Sequence, residues 1–295
     1  MSNNEVLTLP AGNFLGQSLR SRQFSGLRLT ETVYLTGMSQ PEHGHEWPLY
    51  CFVLAGTYVE RIGRQERTGS PLALSFYPSS SVHSESYASP GRHLLLEIDP
   101  AWIEYGREGD LRFDARADLR DGPSTWLMMK IYREFRRFEP DSPALIEELM
   151  LELLGETSRT VAGPMKARAP RWLNKAIELL HARFAESIGL RSVAAAVDVH
   201  AVHLARCFRK FKGCTMGEYV RTLRVEQAAR RIAGSEDALV EIALETGFAD
   251  QSHLSRVFKL HTGMLPGEFR SLLRGRPLWS KNESRFPTKL EDCGG

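Results

Sequence analysis

A chain of 295 residues, 42% hydrophobic and 25% charged, is long enough to bury two cores and too evenly composed for a fibrous or disordered protein. No apolar run approaches the roughly 18 residues of a membrane helix, and Met1-Ser2-Asn3-Asn4-Glu5 lacks the basic flank and apolar core of a signal peptide, so a cytoplasmic protein with no membrane partner is expected. The net charge of +2 hides a division: residues 1–170 hold 18 Lys plus Arg against 22 Asp plus Glu, whereas residues 171–276 hold 17 against 11. A basic excess confined to one segment suits phosphate binding.

Residues 10–100 consist of short apolar runs broken by Gly, Pro and Ser. Leu49-Tyr50-Cys51-Phe52-Val53-Leu54 leads to Ala55-Gly56, Thr57 to Arg61 turns at Ile62-Gly63-Arg64, Leu72 to Tyr77 stops at Pro78, and His93 to Ile98 stops before Pro100. That spacing predicts an all-β barrel or sandwich. The four cysteines, Cys51, Cys207, Cys214 and Cys293, form no C-x-x-C pair, so neither a disulfide framework nor a thiolate zinc site is indicated.

From residue 126 the period becomes helical. Leu127, Ile131, Phe135 and Phe138 share one stripe, Pro140 and Pro143 break the chain, and a second helix follows from Ala144. Between Ala144 and Leu154 only Glu147, Glu148 and Glu152 are polar, so this helix needs cover on two sides: the barrel and either its own subunit or a twin. Thr157 to Pro170 reads as a linker.

Residues 190–270 nearly repeat themselves. His203-Leu204-x-Arg206-x-Phe208 stands against His253-Leu254-x-Arg256-x-Phe258, and Gly213, Gly217 and Glu218 against Gly263, Gly267 and Glu268: seven identities at a constant offset of 50. Upstream, Val193-Ala194 answers Ile242-Ala243 at an offset of 49, so the second copy has one extra residue in its turn. Gly247 can take the positive φ that ends a helix and Asp250 can cap the next, which reads as helix, turn, helix; Asp198 stands in the first copy where Gly247 stands in the second. Leu204, Cys207, Phe208 and Phe211 in one helix, and Leu254, Val257 and Phe258 in the other, form the buried stripes. The opposite faces carry Val202, Ala205, Arg206 and Arg209, and Gln251, Ser252, Ser255, Arg256 and Lys259. A solvated basic face explains one such helix equally well; two in the same phase favour a major groove, where Arg grips guanine, Gln grips adenine and other cations meet phosphate. Tyr219 to Ala233 reads as a rigid helix on the order of 20 Å long between the copies, ended by Gly234.

The run Ile242-Ala243-x-x-x-Gly247-Phe248-x-Asp250-x-Ser252-x-Leu254-Ser255-Arg256-x-Phe258-Lys259, followed by Gly263, Pro266 and Phe269, resembles the signature of AraC/XylS-type transcription regulators, and Leu204-x-Arg206-x-Phe208 with Gly213 resembles its first half. The resemblance covers about 100 residues of a family in which two helix-turn-helix units on a linker helix bind adjacent major grooves. It places base reading on Val202, Ala205, Arg206, Gln251, Ser252, Ser255 and Arg256. Two departures are Asp198 at the turn and Met216 where the second copy has Pro266. His43-x-His45, Gly56 and Pro78-x-x-x-x-His83 resemble the two motifs of the cupin barrel that commonly precedes this domain. Enzymatic cupins hold metal with such histidines and a glutamate four or five positions on, where this chain has Leu49 and Tyr50. His43, His45 and His83 are therefore candidate ligands for a divalent metal, zinc or iron, or line a pocket for an organic effector walled by Trp47, Tyr50, Phe52, Tyr58 and Phe76.

The expected fold is α+β: a cupin-like β-barrel with following helices, at about 126–159, and then an all-α domain of two helix-turn-helix units joined by a linker helix. The divisions are 1–160 for effector binding and dimerisation, 161–170 for the linker, 171–274 for DNA binding and 275–295 for a mobile tail. The expected function is sequence-specific transcription regulation without enzymatic activity, with promoter DNA, a small-molecule effector, a second copy of the chain and RNA polymerase as partners. The alternative is a metal-dependent cupin enzyme or a metal sensor fused to the DNA-binding half.

Overall fold

The computed structural model describes residues 6–79, 81–107, 112–119, 122–162 and 169–274. The expected tail and Cys293 lie outside these residues, as does most of the expected linker.

Two sheets form the N-terminal half. One has the order β1 (Leu7–Leu9), β4 (Ser39–His45), β9 (His83–Ser86), β6 (Tyr58–Ile62), β7 (Gln65–Gly69). The other runs β11 (Ala117–Asp118), β8 (Leu74–Tyr77), β5 (Leu49–Ala55), β10 (Gly91–Ile98), β3 (Leu27–Tyr34), β2 (Gln17–Phe24). β8 starts at Leu74 rather than Leu72, because Leu72 is left-handed at φ 71° and turns the chain before pairing begins. Gly56 is obligatory: a Cβ there would lie 2.1 Å from the Pro90 carbonyl oxygen.

A short helix α1 (Pro100–Arg107) follows β10. Helices α2 (Pro123–Arg137) and α3 (Ser142–Ala162) then cover the second sheet. In β5 every residue from Leu49 to Leu54 is buried, with the two faces going to different places. Tyr50, Phe52 and Leu54 join the cluster that includes Met128, Ile131 and Met150 of α2 and α3, while Cys51 packs on the opposite side with Tyr77 and Leu95. α3 extends past the expected linker start, because Thr157 is buried and its hydroxyl lies 2.6 Å from the Tyr50 hydroxyl.

The C-terminal half is all-α: α4 (Arg171–Ala182), α5 (Leu190–Ala196), α6 (Ala201–Lys212), α7 (Met216–Gly234), α8 (Leu239–Glu245), α9 (Gln251–Thr262) and α10 (Pro266–Arg274). α7 begins earlier than its apolar pattern implies, because Thr215 and Glu218 form a capping box, the Thr hydroxyl accepting from the Glu218 N–H and the carboxylate from the Thr215 N–H. Its first half, with Met216, Val220 and Leu223, shares a core with Leu173, Val193, Leu204 and Phe208. Its second half, with Val225, Ala228, Ala229 and Ile232, shares a core with α8, α9, α10 and the helices on the barrel. Among the described residues, no helix is long and apolar enough to cross a membrane.

Candidate nucleic-acid interface

The two turns preceding α6 and α9 are built alike. Asp198 at φ 54° and Gly247 at φ 81° are both left-handed. Asp198 N–H donates to Ala195 O and Val199 N–H to Ala194 O; Gly247 N–H donates to Leu244 O and Phe248 N–H to Ala243 O. The same bonds recur at an offset of 49, and the extra residue of the second copy, Ala249, falls after them and before the cap. Asp tolerates the left-handed region because its short polar side chain relieves the steric penalty.

Each helix then starts on a side-chain cap. Asp250 Oδ1 accepts from His253 N–H at 2.7 Å, and His200 Nδ1 accepts from Val202 N–H at 3.3 Å. Each ends on a left-handed glycine, Gly213 or Gly263. The buried stripes match the periodicity: Leu204, Cys207 and Phe208 face one core, Leu254 and Phe258 the other. Phe211 and Val257 are half-buried.

The opposite faces carry the expected contact residues. Val202, Arg206, Arg209, Gln251, Ser252, Arg256 and Lys259 are exposed, and Ala205 and Ser255 half-buried. Val202 is 58% exposed, a large apolar side chain left in solvent at the start of a helix. Among the described residues, the Arg206, Arg209, Arg256 and Lys259 side chains have no ion-pair partner, whereas Arg231 pairs with Asp237 and Glu245 and Arg183 with Glu186. Cations without a direct ion pair remain available to phosphate or base edges.

One relation has no signal in the sequence periodicity: the second unit is docked on the barrel's helices. α9 packs against α2, where the Trp126 ring meets Phe258 edge-on at 6.4 Å. Arg92 of β10 donates through Nη1 to the Arg274 carbonyl at 3.2 Å and lies 3.5 Å from Glu31, which also faces Arg136 of α2.

Inside the barrel the three histidines converge. His43 pairs across the ladder with His83, and ring centroids are 4.5 Å apart for that pair, 5.2 Å for His43 and His45, and 5.5 Å for His45 and His83. Burial lowers the pKa of all three, that of His45 to about 4 and that of His83 to about 2, which keeps the imidazoles neutral. Glu60 and Glu85 lie beside them, and burial raises Glu85 to about 7. Neither carboxylate is marked by the cupin-like motifs. The signal available is the period of two, which puts Glu85 on the face of His83.

The aromatic residues expected to wall an effector pocket lie elsewhere. Tyr50, Phe52 and Phe76 face the helices and are fully buried there, and Tyr58 stacks with Tyr87. Trp47 is half-buried, with the Arg28 guanidinium over its ring. None of the five lines the cavity at the histidines, whose volume is about 20 Å³. That space is the size of a single water or ion, against the roughly 300 Å³ or more of pockets that hold organic ligands.

The fold and site define a paired helix-turn-helix module attached to a two-sheet barrel. A helix-turn-helix domain model matches residues 193–271. "Probable transcription factor PqrA" of Proteus vulgaris is 39% identical over 85 residues, covering 29% of this chain and 70% of that protein. The chain belongs to the AraC/XylS family of transcription regulators. The "Uncharacterized HTH-type transcriptional regulator YpdC" of Escherichia coli is 24% identical over 241 residues, 78% of this chain and 84% of its own. Against several other curated relatives, the chain spans about half of their length. The crystal structure of a transcriptional regulator with an AraC-type DNA-binding domain from Chromobacterium violaceum aligns at 27% identity over 36% of this chain and 94% of that one, with a TM-score of 0.34.

Proposed function

We propose that the chain is a sequence-specific regulator that reads DNA with α6 and α9 while the barrel receives a signal. The observation that carries this reading is the repeated phase of unpaired cations: Arg206 with Arg209, and Arg256 with Lys259, each on the exposed side of a helix whose other side is core. Arg206, Arg256 and Gln251 are assigned to base edges, with Val202, Ala205, Ser252 and Ser255 forming the small surface between them. Arg209 and Lys259 are assigned to phosphates.

Because the second unit shares a core with the helices on the barrel, a signal in the barrel can act through the preference of its ligand for one arrangement of the two halves. The exposed Leu145 and Leu151 of α3 support this helix as the surface for a second copy of the chain. The barrel is read as sensory rather than catalytic, the protein as cytoplasmic, and RNA polymerase as a partner at the promoter.

The test is a mobility shift on a DNA fragment selected from a random pool by the full-length protein. Each arginine that grips guanine contributes about 1–3 kcal/mol. The Arg206→Ala, Arg256→Ala double variant is expected to bind that fragment at least about thirtyfold more weakly, while Arg209→Ala weakens all sequences alike and makes binding less salt-dependent. Unchanged specific affinity in the double variant rules out the assignment.

A further inference from the structure

We propose that the barrel binds one divalent transition-metal ion through His43, His45 and His83, with Glu85 beside His83 as a positioning carboxylate, and that this ion is the signal the barrel receives. The second clause rests on the reading of the barrel as sensory; the site itself does not.

Residues two apart on a strand share a face, so His43 and His45 of β4 look the same way, as do His83 and Glu85 of β9. The ladder pairs His43 with His83 and, on the next strand, Glu60 with Glu85. One donor atom from each of the three histidines lies within 4.8 Å of the others, and the same holds for Glu60, His83 and Glu85. His83 belongs to both groups, but Glu85 does not join His43 and His45 in one set, so the three imidazoles form the site and Glu85 stands beside it. A tetrahedral zinc with bonds of about 2.0–2.1 Å holds its donors roughly 3.4 Å apart, so binding draws the three rings together.

Hydrogen bonding distinguishes the two carboxylates. Glu60 is committed: Oε1 accepts from the Tyr77 hydroxyl at 2.6 Å and Oε2 from the Arg116 guanidinium at 2.7 Å. Glu85 is half-committed, with Oε2 accepting from the Tyr87 hydroxyl at 2.6 Å and Oε1 lying 4.0 Å from His83 Nε2. Glu85 therefore keeps one oxygen on the side of His83. The two positions where an enzymatic cupin carries its glutamate hold Leu49, which is buried, and Tyr50, whose side chain faces the helices.

Two further observations point to an occupant. His43 Nδ1 donates to the Pro41 carbonyl at 2.9 Å, which leaves Nε2 as a lone pair, the arrangement that orients metal-bound histidines. The His83 imidazole has a backbone partner in Ser81 and the Gln40 amide one in the Tyr34 hydroxyl, but the buried Nδ1 atom of His45 has none, although that residue is only 7% exposed. Buried polar atoms are rarely left so. The cavity between them, about 20 Å³ with half-buried Phe14 and Leu15 in its lining, fits an ion. Three imidazoles suit zinc or ferrous iron and do not suit calcium or magnesium, which require oxygen donors.

The test uses the full-length chain, purified without a histidine tag and stripped with a chelator, titrated with Zn²⁺ alone by calorimetry and with Co²⁺ by its visible absorption. One equivalent is expected to bind. His83→Ala should weaken binding more than a hundredfold and Glu85→Gln ten- to a hundredfold, whereas His261→Ala on α9 leaves it unchanged. Circular dichroism checks folding, and His43→Gln replaces His83→Ala if the latter does not fold. Absence of a bound equivalent in folded protein, or binding that survives the barrel substitutions, overturns the site. A mobility shift with and without Zn²⁺ tests the signal: a change in affinity of at least about fivefold is expected, and equal affinity overturns the signalling clause alone. The Arg206→Ala, Arg256→Ala variant, run in the same assay, reports separately on the DNA assignment.

Discussion

We predict that Gly247→Ala destabilises the chain by more than Gly263→Ala, although both glycines are left-handed, at φ 81° and 75°. At Gly263 an added Cβ meets nothing within 4 Å. There the cost is only the left-handed alanine, about 1–2 kcal/mol, partly offset by about 0.4–1 kcal/mol of lost freedom in the unfolded chain. At Gly247 the Cβ would lie 2.5 Å from the carbonyl oxygen and 2.8 Å from the Cα of Ala185. Those atoms are backbone, in the segment after α4, and Arg224 of α7 holds its neighbours by donating to Phe184 O at 2.7 Å and Glu186 O at 2.8 Å. The wall cannot yield without moving the first unit relative to the second, which adds about 1–3 kcal/mol of overpacking. Urea titrations followed by far-ultraviolet circular dichroism should therefore separate the two variants by about 1–3 kcal/mol, the backbone contributions cancelling in the difference. Gly247→Ala should also lose specific DNA affinity under conditions where it remains folded, because α6 and α9 no longer hold their spacing. Equal stability losses in the two variants would refute the claim that Ala185 locks the two units together.

Three further outcomes are expected. Asp250→Ala removes the cap of α9 and should cost about 1 kcal/mol, measured by the same titration, while His200→Ala should cost less because its capping bond is longer, at 3.3 Å against 2.7 Å. Burial raises the carboxyl of Glu226 on α7 from 4.5 to about 7, so the folded chain retains a proton that the unfolded chain releases, and stability falls as pH rises from about 4.5 to 7. Glu226→Gln should thus stabilise by roughly 2–3 kcal/mol at pH 8 relative to its effect at pH 4, and melting curves that shift equally at both pH values would contradict this. Trp126→Ala removes a buried ring from the contact with Phe258 and should cost about 3–5 kcal/mol, with faster proteolysis between the barrel helices and α9 as its signature.

The helix-turn-helix pair was legible because the chain supplies its own comparison: positions 203–218 and 253–268 test each other, and Asp198 could be aligned with Gly247 without knowing its φ. β5, β6, β8 and β10 were legible as apolar runs between turn residues. The barrel interior was harder. β4 reads Ser-Gln-Pro-Glu-His-Gly-His and β9 His-Ser-Glu-Ser, and their polar character points to solvent, whereas Gln40, His43, His45, His83 and Glu85 are buried. The unbroken run Leu49 to Leu54 hides the complementary fact, that Tyr50 and Phe52 turn outward to a second layer of helices. A strand buried on both faces loses the period that would tell one face from the other. Docking of the second unit left no periodic trace either, because Phe258 serves its own helix-turn-helix core and the contact with Trp126 through one side chain.

α7 draws its two ends from different interiors, and this relocates the seam along which the molecule comes apart. The Gly- and Pro-containing stretch around residues 163–168 looks like the place to cut, yet cutting there leaves the C-terminal unit without the apolar neighbours that Val225, Ala228 and Ile232 share with the barrel's helices. Calorimetry should find the weakest joint midway along a continuous helix, between Leu223 and Val225: residues 171–223 melt as one block, and everything after them melts together with the barrel.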